Sequence, residues 1–393
     1  MLQLRSTLPR YITAGDVFSG SGSISALAVL GALRTVVLCT PSVYSNEHLL
    51  INMKKSVGSV SLTFLCLPKG EPNLELLKPL LLAINDIQPD VIIGVGGGAA
   101  LDSAKVLWLM YEIPNANLDI FQRPHSLPPL RIKAKFVAIP TTVGSGSEVS
   151  SAAVFAFGKG QAKRFIVSHE LIPDVAILDS DFLRDLPIEV LVQSSLDALS
   201  HALEGYVSRL DNSMMDLYAE TAIRTIFQDL PMLYQDWGPS RESSGETEKL
   251  LSNLMNAAML AGNVQNFKVP GIGHAFSHQL GRFGFSHGLG CALMLPIGMQ
   301  VNVKDADVRE KYDFLAQKLG LHDFNELLNK VLSLKNTCQL ATTVRETNPE
   351  LISEIIDNKN ELLADLKLDA CFKMNPRSLE NDELEVILEE VVG

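Results

Sequence analysis

The stretch Asp90–Lys105 reads DVIIGVGGGAALDSAK and combines a buried strand, a run of glycines and the start of a helix. Glycine lacks a Cβ atom, so the backbone can adopt positive φ angles and approach a ligand closely. The helix start offers unpaired N–H groups and the positive end of a dipole, which favour a phosphate. The loose GxGxxG/A spacing is met by Gly94, Gly96 and Ala99. Alone this match is weak, and the alternative is an ordinary turn in which Asp102 or Ser103 only serves the first helical turn.

Short apolar segments recur on both sides of this turn. They are Thr35–Cys39 (TVVLC), Leu62–Cys66 (LTFLC), Asp90–Val95 (DVIIGV), Phe136–Ile139 (FVAI) and Val175–Leu178 (VAIL). Continuous rather than alternating hydrophobicity is typical of strands buried on both faces of a parallel sheet. Helix-period stretches such as Leu74–Ile87 and Leu101–Met110 lie between several of them. The sequence therefore predicts an open α/β sheet. Its glycine turn follows the third predicted strand, whereas the usual dinucleotide-binding turn follows the first.

The strand pattern stops after about Leu186, and long helical patterns follow. Examples are Glu189–Leu210, Met214–Leu230 and Lys249–Ala261. The polar stretch Asp236–Glu248 (DWGPSRESSGETE) is predicted to be a surface loop. A chain of 393 residues exceeds the usual size of a single core, so we predict a Rossmann-like α/β domain over 1–185 and an all-α domain over 186–393. The cleft between two such domains is the expected place for a site.

Composition excludes several classes of partner. The apolar fraction of 47% and the charged fraction of 20% are ordinary for a globular protein. The net charge of -12 argues against a nucleic-acid or anionic-membrane surface. There is no run of about 18 apolar residues, and the N-terminus shows no secretory pattern. The five scattered cysteines suit reduced thiols in a core, so we expect a cytoplasmic protein.

A second polar turn, PTTVGSGSEVS (Pro140–Ser150), also follows a predicted strand directly. Its hydroxyl groups belong to Thr141, Thr142, Ser145 and Ser147. They could hydrogen-bond a phosphate, a ribose or an amide, although Ser, Thr and Gly also cluster in solvated turns. Two such turns at the ends of parallel strands would face one crevice, which favours a binding site at both.

Histidines and an aspartate recur in two helical segments. DALSHALEGY places Asp197 and His201 four residues apart, one above the other on a helix face. GIGHAFSHQLGRFGFSHG carries His274, His278 and His287. A carboxylate and imidazoles suit Fe²⁺, Zn²⁺, Mn²⁺ or Co²⁺. Burying them without a partner would cost on the order of several kcal/mol, so a metal ion is the economical explanation. His125 and His169 lie in polar, loop-like contexts and are predicted to be surface residues.

Together these stretches resemble the iron-containing (group III) alcohol dehydrogenase family over nearly the whole chain. The motifs that carry the resemblance are GVGGGAALDSAK, PTTVGSGSEVS, IPDVAILD (Ile172–Asp179), DALSHALEGY and HAFSHQLG…HGLGCALMLP. The resemblance implies a dehydroquinate synthase-like architecture, with an N-terminal dinucleotide-binding domain and a helical C-terminal domain. It implies hydride transfer between NAD(P)(H) and a small alcohol or aldehyde bound to a divalent metal. A homodimer or larger homo-oligomer is also implied.

The resemblance assigns roles to individual residues. The implied metal ligands are Asp197, His201, His274 and His287, with Fe²⁺ the usual ion and Zn²⁺ a common substitute. His278 would not bind the metal but would lie near the nicotinamide and relay a proton. The residues expected to contact the dinucleotide are Gly97, Gly98, Ser103, Thr141 and Thr142, to which we add Asp102 and Ser147. The chain departs from many relatives in a slightly shorter spacing between His278 and His287. It also has Cys291 where they often have Asn, so a hydrogen bond beside the metal is expected to be missing.

The choice between NAD and NADP is expected to depend on Thr40, at the end of the TVVLC strand. An acidic residue there would accept hydrogen bonds from the 2′-hydroxyl and repel a 2′-phosphate, which selects NAD. The chain reads Cys39-Thr40-Pro41-Ser42, with no carboxylate and no adjacent Arg or Lys. We therefore predict that NAD and NADP are both accepted. Alternatively, Thr40 is only a strand-end residue far from the ribose.

Other enzymes could share this architecture. A dehydroquinate synthase-type lyase or cyclase would need a cluster of Lys and Arg for a phosphorylated sugar acid, and few are present. A metal-free reductase of the maleylacetate type lacks the aspartate ligand, and a binding module would not require four ligands. The substrate-pocket candidates are Phe155, Val264, Phe267, Lys268 and Phe283. Lys268 could bind an anionic substrate group, but a solvated helix charge is the favoured expectation.

Overall fold

The computed structural model describes residues 11–31, 34–57, 61–69, 73–124, 126–156, 164–240 and 244–393, which form two compact units. The first unit comprises the chain up to Thr141 together with Ser147–Phe182. The second comprises Thr142–Gly146 and Leu183–Gly393.

The first unit contains the strands and four helices. The strands are β1 (Asp16–Ser19), β2 (Arg34–Cys39), β3 (Ser61–Cys66), β4 (Val91–Gly96), β5 (Lys135–Pro140), β6 (Ala152–Phe155), β7 (Arg164–Val167) and β8 (Val175–Leu178). The helices are α1 (Pro41–Tyr44), α2 (Glu47–Ser56), α3 (Leu74–Ile87) and α4 (Gly98–Glu112). Short 3₁₀ turns lie at Ser23–Val29, Ile120–Gln122, His169–Leu171 and Ser180–Leu183.

All the regular secondary structure described in the second unit is helical. Its helices are α5 (Ile188–Tyr206), α6 (Ser213–Ser240), α7 (Gly245–Phe267), α8 (Ile272–Leu280), α9 (His287–Asn302), α10 (Ala306–Lys318), α11 (Phe324–Thr337), α12 (Val344–Thr347), α13 (Leu351–Asp357), α14 (Lys359–Leu368), α15 (Ala370–Met374) and α16 (Asn381–Val392). A 3₁₀ turn at Gly281–Phe283 follows α8. None of the described helices is both long and apolar enough to cross a lipid bilayer.

A six-stranded parallel sheet in the order β1-β8-β5-β4-β2-β3 forms the centre of the first unit. Both faces are buried, because Val37 and Ile93 pack into one apolar cluster and Val36 and Ile92 into another. Burial on both faces explains why these strands are continuously apolar. The five predicted strands and the α/β fold class are confirmed.

Three of the described strands, β1, β6 and β7, were not predicted from the sequence. Strand β1 lies at the edge of the sheet and is largely exposed, so it lacks a continuous apolar run. Strands β6 and β7 form a separate antiparallel pair, with Ala152 opposite Val167. Only alternate residues of β6 are buried, and four residues are too few to establish that alternation as a pattern.

The predicted surface loop over Asp236–Glu248 is wrong at both ends. Helix α6 continues to Ser240, and α7 begins at Gly245. The Ser244 side chain accepts a hydrogen bond from the Thr247 N–H at 3.1 Å and so caps α7. Acidic residues in the first turn of α7 also favour the helix through its dipole. The polar composition therefore reflects a helix start rather than a long loop.

The order of the strands creates a switch point between β2 and β4. From β2 the chain continues outward to β3, and from β4 it continues in the opposite direction to β5. Ligands of open α/β sheets bind at the carboxyl ends of the strands at such a point. The Thr40 N–H donates to the Val95 carbonyl at 3.2 Å, and the Thr141 N–H donates to the Gly96 carbonyl at 3.0 Å. Residues following β2, β4 and β5 therefore lie side by side.

The five residues Thr142–Gly146 after β5 pack with the second unit. A Cβ atom added to Gly146, whose φ is +60°, would lie 2.3 Å from Gly262 Cα of α7. The Ser145 carbonyl accepts a hydrogen bond from Gln265 Nε2 at 2.6 Å. Only glycine at position 146 allows the segment this close approach to α7.

Gly96, at the end of β4, provides a test of the turn. A Cβ atom there would lie 2.5 Å from Ala100 Cβ and 2.7 Å from Thr40 Cγ2, at a φ of +156°. We expect Gly96→Ala to lower the free energy of unfolding of the first unit by about 1–3 kcal/mol, as overpacking usually does. Urea unfolding followed by fluorescence measures this. Gly245→Ala is the control, since nothing lies within 4 Å of its added Cβ; equal stability of both variants would contradict the close packing at Gly96.

Candidate active site

Four of the histidine and aspartate side chains singled out in the sequence converge in the second unit. Helix α5 carries Asp197 and His201, α8 carries His274, and His287 is the first residue of α9. Their donor atoms all lie within 4.8 Å of one another. The Asp197 Oδ1 atom is their common neighbour. Its distances are 3.4 Å to His287 Nε2, 3.5 Å to His274 Nε2 and 3.8 Å to His201 Nδ1.

Glycines allow the helices that carry these four side chains to approach closely. A Cβ atom on Gly273 of α8 would lie 2.7 Å from Glu204 Oε1 of α5. A Cβ atom on Gly288 of α9 would lie 2.6 Å from the Gln193 carbonyl oxygen of α5. A larger residue at either position would push its helix away from α5, so the small residues around the histidines have a geometric role.

Asp197, His201 and His287 have the charge states of metal ligands, whereas His274 does not. Burial alone would raise the pKa of Asp197, but the surrounding His201 and His287 lower it overall, so the carboxylate is ionised. Burial lowers the pKa of His201 to about 4 and holds that of His287 well below its usual value, so both rings are neutral. Burial also acts to lower the pKa of His274, but the carboxylates of Asp197 and Glu204 raise it well above its usual value. Metal binding at His274 therefore displaces a proton.

Several donor atoms at the centre of the cluster are buried and have no hydrogen-bond partner among the described residues. They are Asp197 Oδ1, His201 Nδ1 and His274 Nε2. Leaving such an atom unsatisfied costs about 1–3 kcal/mol, and more for a charged group. A cation at the centre would satisfy all three, and one carboxylate with three imidazoles suits Fe²⁺ or Zn²⁺. The residues present therefore fit a divalent metal ion.

Glu204, which the sequence analysis did not single out, orients one of these histidines. Its carboxylate hydrogen-bonds to His274 Nδ1 and accepts the Gly273 N–H at 2.7 Å and the His274 N–H at 3.3 Å. A carboxylate on Nδ1 fixes the ring so that Nε2 faces the metal position. The signal was present in the sequence, because Glu204 lies seven residues after Asp197 and so on the same face of α5.

His278 lies beside the cluster but is not part of it. Its ring is nearly parallel to that of His287, with centroids 5.3 Å apart and an interplanar angle of 13°. Its Nδ1 lies 2.8 Å from Asp369 Oδ2. His278, Asp369 and Cys371 form a second group of neighbouring polar side chains.

The residues expected to contact a dinucleotide divide into two sets. Thr40, Gly97, Gly98 and Thr141 lie at the switch point of the sheet. Gly97 is the N-cap of α4 and provides no capping side chain, so backbone N–H groups at that helix end remain available for a phosphate.

The second set makes hydrogen bonds within the protein. The Asp102 carboxylate accepts the Ser147 hydroxyl at 2.7 Å and the Val154 N–H at 3.0 Å. The Ser103 hydroxyl donates to the Ala99 carbonyl at 2.8 Å. These contacts hold the second polar turn against α4, which is a supporting role. Thr142 is the first residue of the segment that packs with the second unit.

Comparison with known proteins agrees with this geometry. The family model described as iron-containing alcohol dehydrogenase matches residues 14–180. The model of the C-terminal part of the Fe-containing alcohol dehydrogenase family matches residues 191–392. The chain belongs to the iron-containing alcohol dehydrogenase family. Membership confirms the predicted class, an alcohol dehydrogenase that uses iron and NAD(P), and nothing in the comparisons favours a dehydroquinate synthase-type lyase.

Relatives in this family match most of the chain. The NADPH-dependent butanol dehydrogenase of Clostridium saccharobutylicum is 31% identical, covering 98% of this chain and 97% of the relative. An alcohol dehydrogenase of Thermococcus barophilus is 30% identical, covering 79% of this chain and 81% of the relative. The structure of the iron-containing alcohol dehydrogenase of Thermococcus thioreducens has a TM-score of 0.87 at 28% identity, covering 97% of this chain and 99% of that one.

Cys291 lies beside the cluster, at the position where the resemblance led us to expect Asn in many relatives. Its thiol is buried and lies 3.7 Å from His287 Nε2, one helical turn away on α9. Burial raises the pKa of Cys291 to about 11, so the thiol is neutral at neutral pH. It is therefore a weak hydrogen-bonding group beside the candidate metal position.

Lys268 is not the solvated charge that the sequence analysis expected. Its ammonium group is buried, pairs with the Asp216 carboxylate and donates to the Tyr206 carbonyl at 3.2 Å. Tyr206 is the last residue of α5, and Lys311 donates to the Ser208 carbonyl just beyond it at 3.1 Å. The two lysines satisfy carbonyl groups that a helix end leaves without partners. Lys268 therefore anchors the helix that carries the candidate ligands Asp197 and His201.

The remaining substrate-pocket candidates, and the histidines predicted to lie at the surface, differ in burial. Phe155 lies within the apolar core of the first unit, and Val264 is fully buried close to Gly205. Phe267 and Phe283 are half-buried. His169 is half-buried rather than exposed, whereas His125 lies outside the described residues.

Removing a ligand tests the metal site. We expect Asp197→Asn or His274→Ala to lower metal affinity by more than about 100-fold and to abolish activity. Replacing a residue that only hydrogen-bonds to a metal ligand already lowers metal affinity by about 10–100-fold. Metal content by elemental analysis and fold by circular dichroism are the measurements. His322→Ala is the control, since that side chain is 84% exposed. An Asp197→Asn protein that keeps its metal and turns over normally would show that the site is misassigned.

Proposed function

We propose that the protein interconverts short primary alcohols and their aldehydes by hydride transfer to and from NAD(P), at a divalent ion held by Asp197, His201, His274 and His287. The observation that carries this proposal is the set of buried, unpartnered donor atoms around Asp197 Oδ1. The relatives named NADPH-dependent butanol dehydrogenase and 1-propanol dehydrogenase, from Clostridium saccharobutylicum and Salmonella typhimurium, support short primary alcohols as the substrate class.

The four side chains would set the charge of the metal site. A divalent ion bound there supplies Lewis acidity, which lowers the pKa of a substrate hydroxyl group and polarises a carbonyl group. Only Asp197 among the four is anionic, so the site retains a net positive charge that favours negative charge on the substrate oxygen. Glu204 keeps His274 oriented and so keeps the four donors at one point.

His278 would move the substrate proton. Alcohol oxidation releases a proton from the hydroxyl group as well as a hydride from carbon. The His278 side chain is 17% exposed and lies against His287. A partly exposed imidazole beside the reacting group can take up that proton and pass it to water.

The switch point of the first unit would bind the dinucleotide. Backbone N–H groups at the start of α4, after Gly97, suit the pyrophosphate. Thr40, at the end of the neighbouring strand, would lie by the adenosine ribose. Its hydroxyl is within 3.0 Å of the Ser42 hydroxyl, so the two can bind either a 2′-hydroxyl or a 2′-phosphate.

We also propose that the protein works in the cytoplasm as a homo-oligomer. The cysteines are all free, and all but the half-buried Cys66 are buried, which suits a reducing compartment. The homo-oligomer rests on the family resemblance. Sedimentation of the purified protein measures it directly.

An aldehyde-reduction screen tests the function as a whole. The protein is reconstituted with Fe²⁺ and supplied with straight-chain aldehydes and either NADH or NADPH. We expect aldehyde-dependent oxidation of both coenzymes, and loss of it on chelation. The absence of turnover with every aldehyde and alcohol by a metal-loaded, folded protein would refute the proposal.

His278→Ala separates proton transfer from metal binding. We expect metal content to stay at the wild-type level and kcat to fall by about 10²–10⁴-fold, the usual contribution of a general acid or base. Elemental analysis and steady-state kinetics are the measurements. Loss of the metal in this variant would instead make His278 a ligand and release His287 from that role.

Thr40→Asp tests the choice of coenzyme. A carboxylate at this strand end repels a 2′-phosphate, so kcat/KM with NADPH should fall relative to NADH by on the order of 1 kcal/mol or more. Thr40→Ser is the matched control, because it keeps the hydroxyl group without adding charge. An unchanged ratio of the two kcat/KM values in Thr40→Asp would place Thr40 away from the ribose.

A further inference from the structure

Asp369 lies where it can control the ring of His278. It follows α14 directly and is 91 residues from His278 in the chain. Its Oδ2 atom lies 2.8 Å from His278 Nδ1, and its side chain is only 7% exposed. The contact therefore joins a histidine of α8 to the junction of α14 and α15, well outside the motifs that hold the metal ligands.

The Asp369 carboxylate is itself held in place. Its Oδ1 atom accepts the Cys371 N–H at 2.7 Å, which makes Asp369 the N-cap of α15. Burial would raise the pKa of Asp369, but the hydrogen bonds from His278 and from the Cys371 N–H lower it overall. An ionised carboxylate only accepts hydrogen bonds, so the atom that faces it across 2.8 Å must carry a proton.

We propose that Asp369 is a positioning residue that keeps the proton of neutral His278 on Nδ1 and leaves Nε2 as the proton acceptor. Two contacts fix the ring, since Asp369 holds its Nδ1 edge and the parallel His287 ring holds its face. The inference rests on the proposed role of His278 in proton transfer.

The atoms and charges of the proton transfer balance without any further group. As the alcohol loses its proton, the O–H bond breaks, its electron pair stays on oxygen, and an N–H bond forms at His278 Nε2. The ring then carries a positive charge that the Asp369 carboxylate stabilises. The proton leaves Nε2 for water, and the Nδ1–H bond remains intact. In the wrong tautomer, Nε2 already carries hydrogen and cannot accept the proton.

Asp369→Asn separates positioning from a purely structural role. Asparagine is as good an N-cap as aspartate, so α15 should keep its start. The amide can donate to His278 Nδ1, which places the ring proton on Nε2 instead. We expect kcat to fall by roughly 10²-fold or more, with the KM for alcohol, the metal content and the melting temperature close to wild type.

Asp365→Asn is the matched control. Asp365 lies one helical turn earlier, on α14, and forms an exposed ion pair with Arg282 at 2.8 Å. It loses the same charge without touching His278, so its kcat should equal that of the wild type. The double variant His278→Ala/Asp369→Asn should be no slower than His278→Ala alone, because a residue that acts through His278 has nothing left to position.

Tautomer measurement distinguishes failure of this inference from failure of the proposed function. In the Zn²⁺-loaded protein with ¹⁵N-labelled histidine, His278 should show Nδ1–H in the wild type and Nε2–H in Asp369→Asn. If the enzyme is inactive on every alcohol, this spectrum still decides the positioning role. Wild-type kcat in Asp369→Asn, an unchanged tautomer, or a further loss in the double variant beyond His278→Ala would each overturn the proposal.

Discussion

One carboxylate oxygen, Asp197 Oδ1, determines how the second unit must pack. Three imidazole nitrogens lie 3.4 to 3.8 Å from it in a buried setting, an arrangement that a bound cation would stabilise. Three helices must therefore meet at one point. Gly273 and Gly288 permit the approach, and Lys268 satisfies the carbonyl end of the helix that carries the aspartate.

Two further carboxylates make the same kind of hydrogen bond to a histidine, but the two histidines have different proposed roles. Glu204 and Asp369 each engage the Nδ1 atom of a histidine on α8, His274 and His278 respectively. In each case the carboxylate contacts Nδ1 and not Nε2. On His274 that atom belongs to the metal cluster, and on His278 it lies outside. By our proposal, helix α8 thus presents a metal ligand and a proton acceptor four residues apart, and a carboxylate orients each ring through its Nδ1 atom.

The sequence predicts what depends on local pattern. Strands buried on both faces are continuously apolar, and ligands on one helix face are four residues apart, so the sheet and the candidate ligands could be found without coordinates. Asp369 could not, since only tertiary packing brings it to a histidine 91 residues away. Lys268 looked like a solvated charge because composition does not reveal that Asp216 and a helix-end carbonyl surround it. The polar run after Asp236 looked like a loop because capping residues and loop residues have similar composition.

Synthesis from the N-terminus releases the segment Thr142–Gly146 long before the residues that hold it. Strands β6, β7 and β8 leave the ribosome next, whereas Gly262 and Gln265 on α7 emerge only later, with 120 residues separating Ser145 from Gln265. The segment therefore lacks its partners on α7 until those residues have been synthesised. A nascent chain that ends before α7 can therefore possess every strand of the sheet and still lack the finished turn after β5.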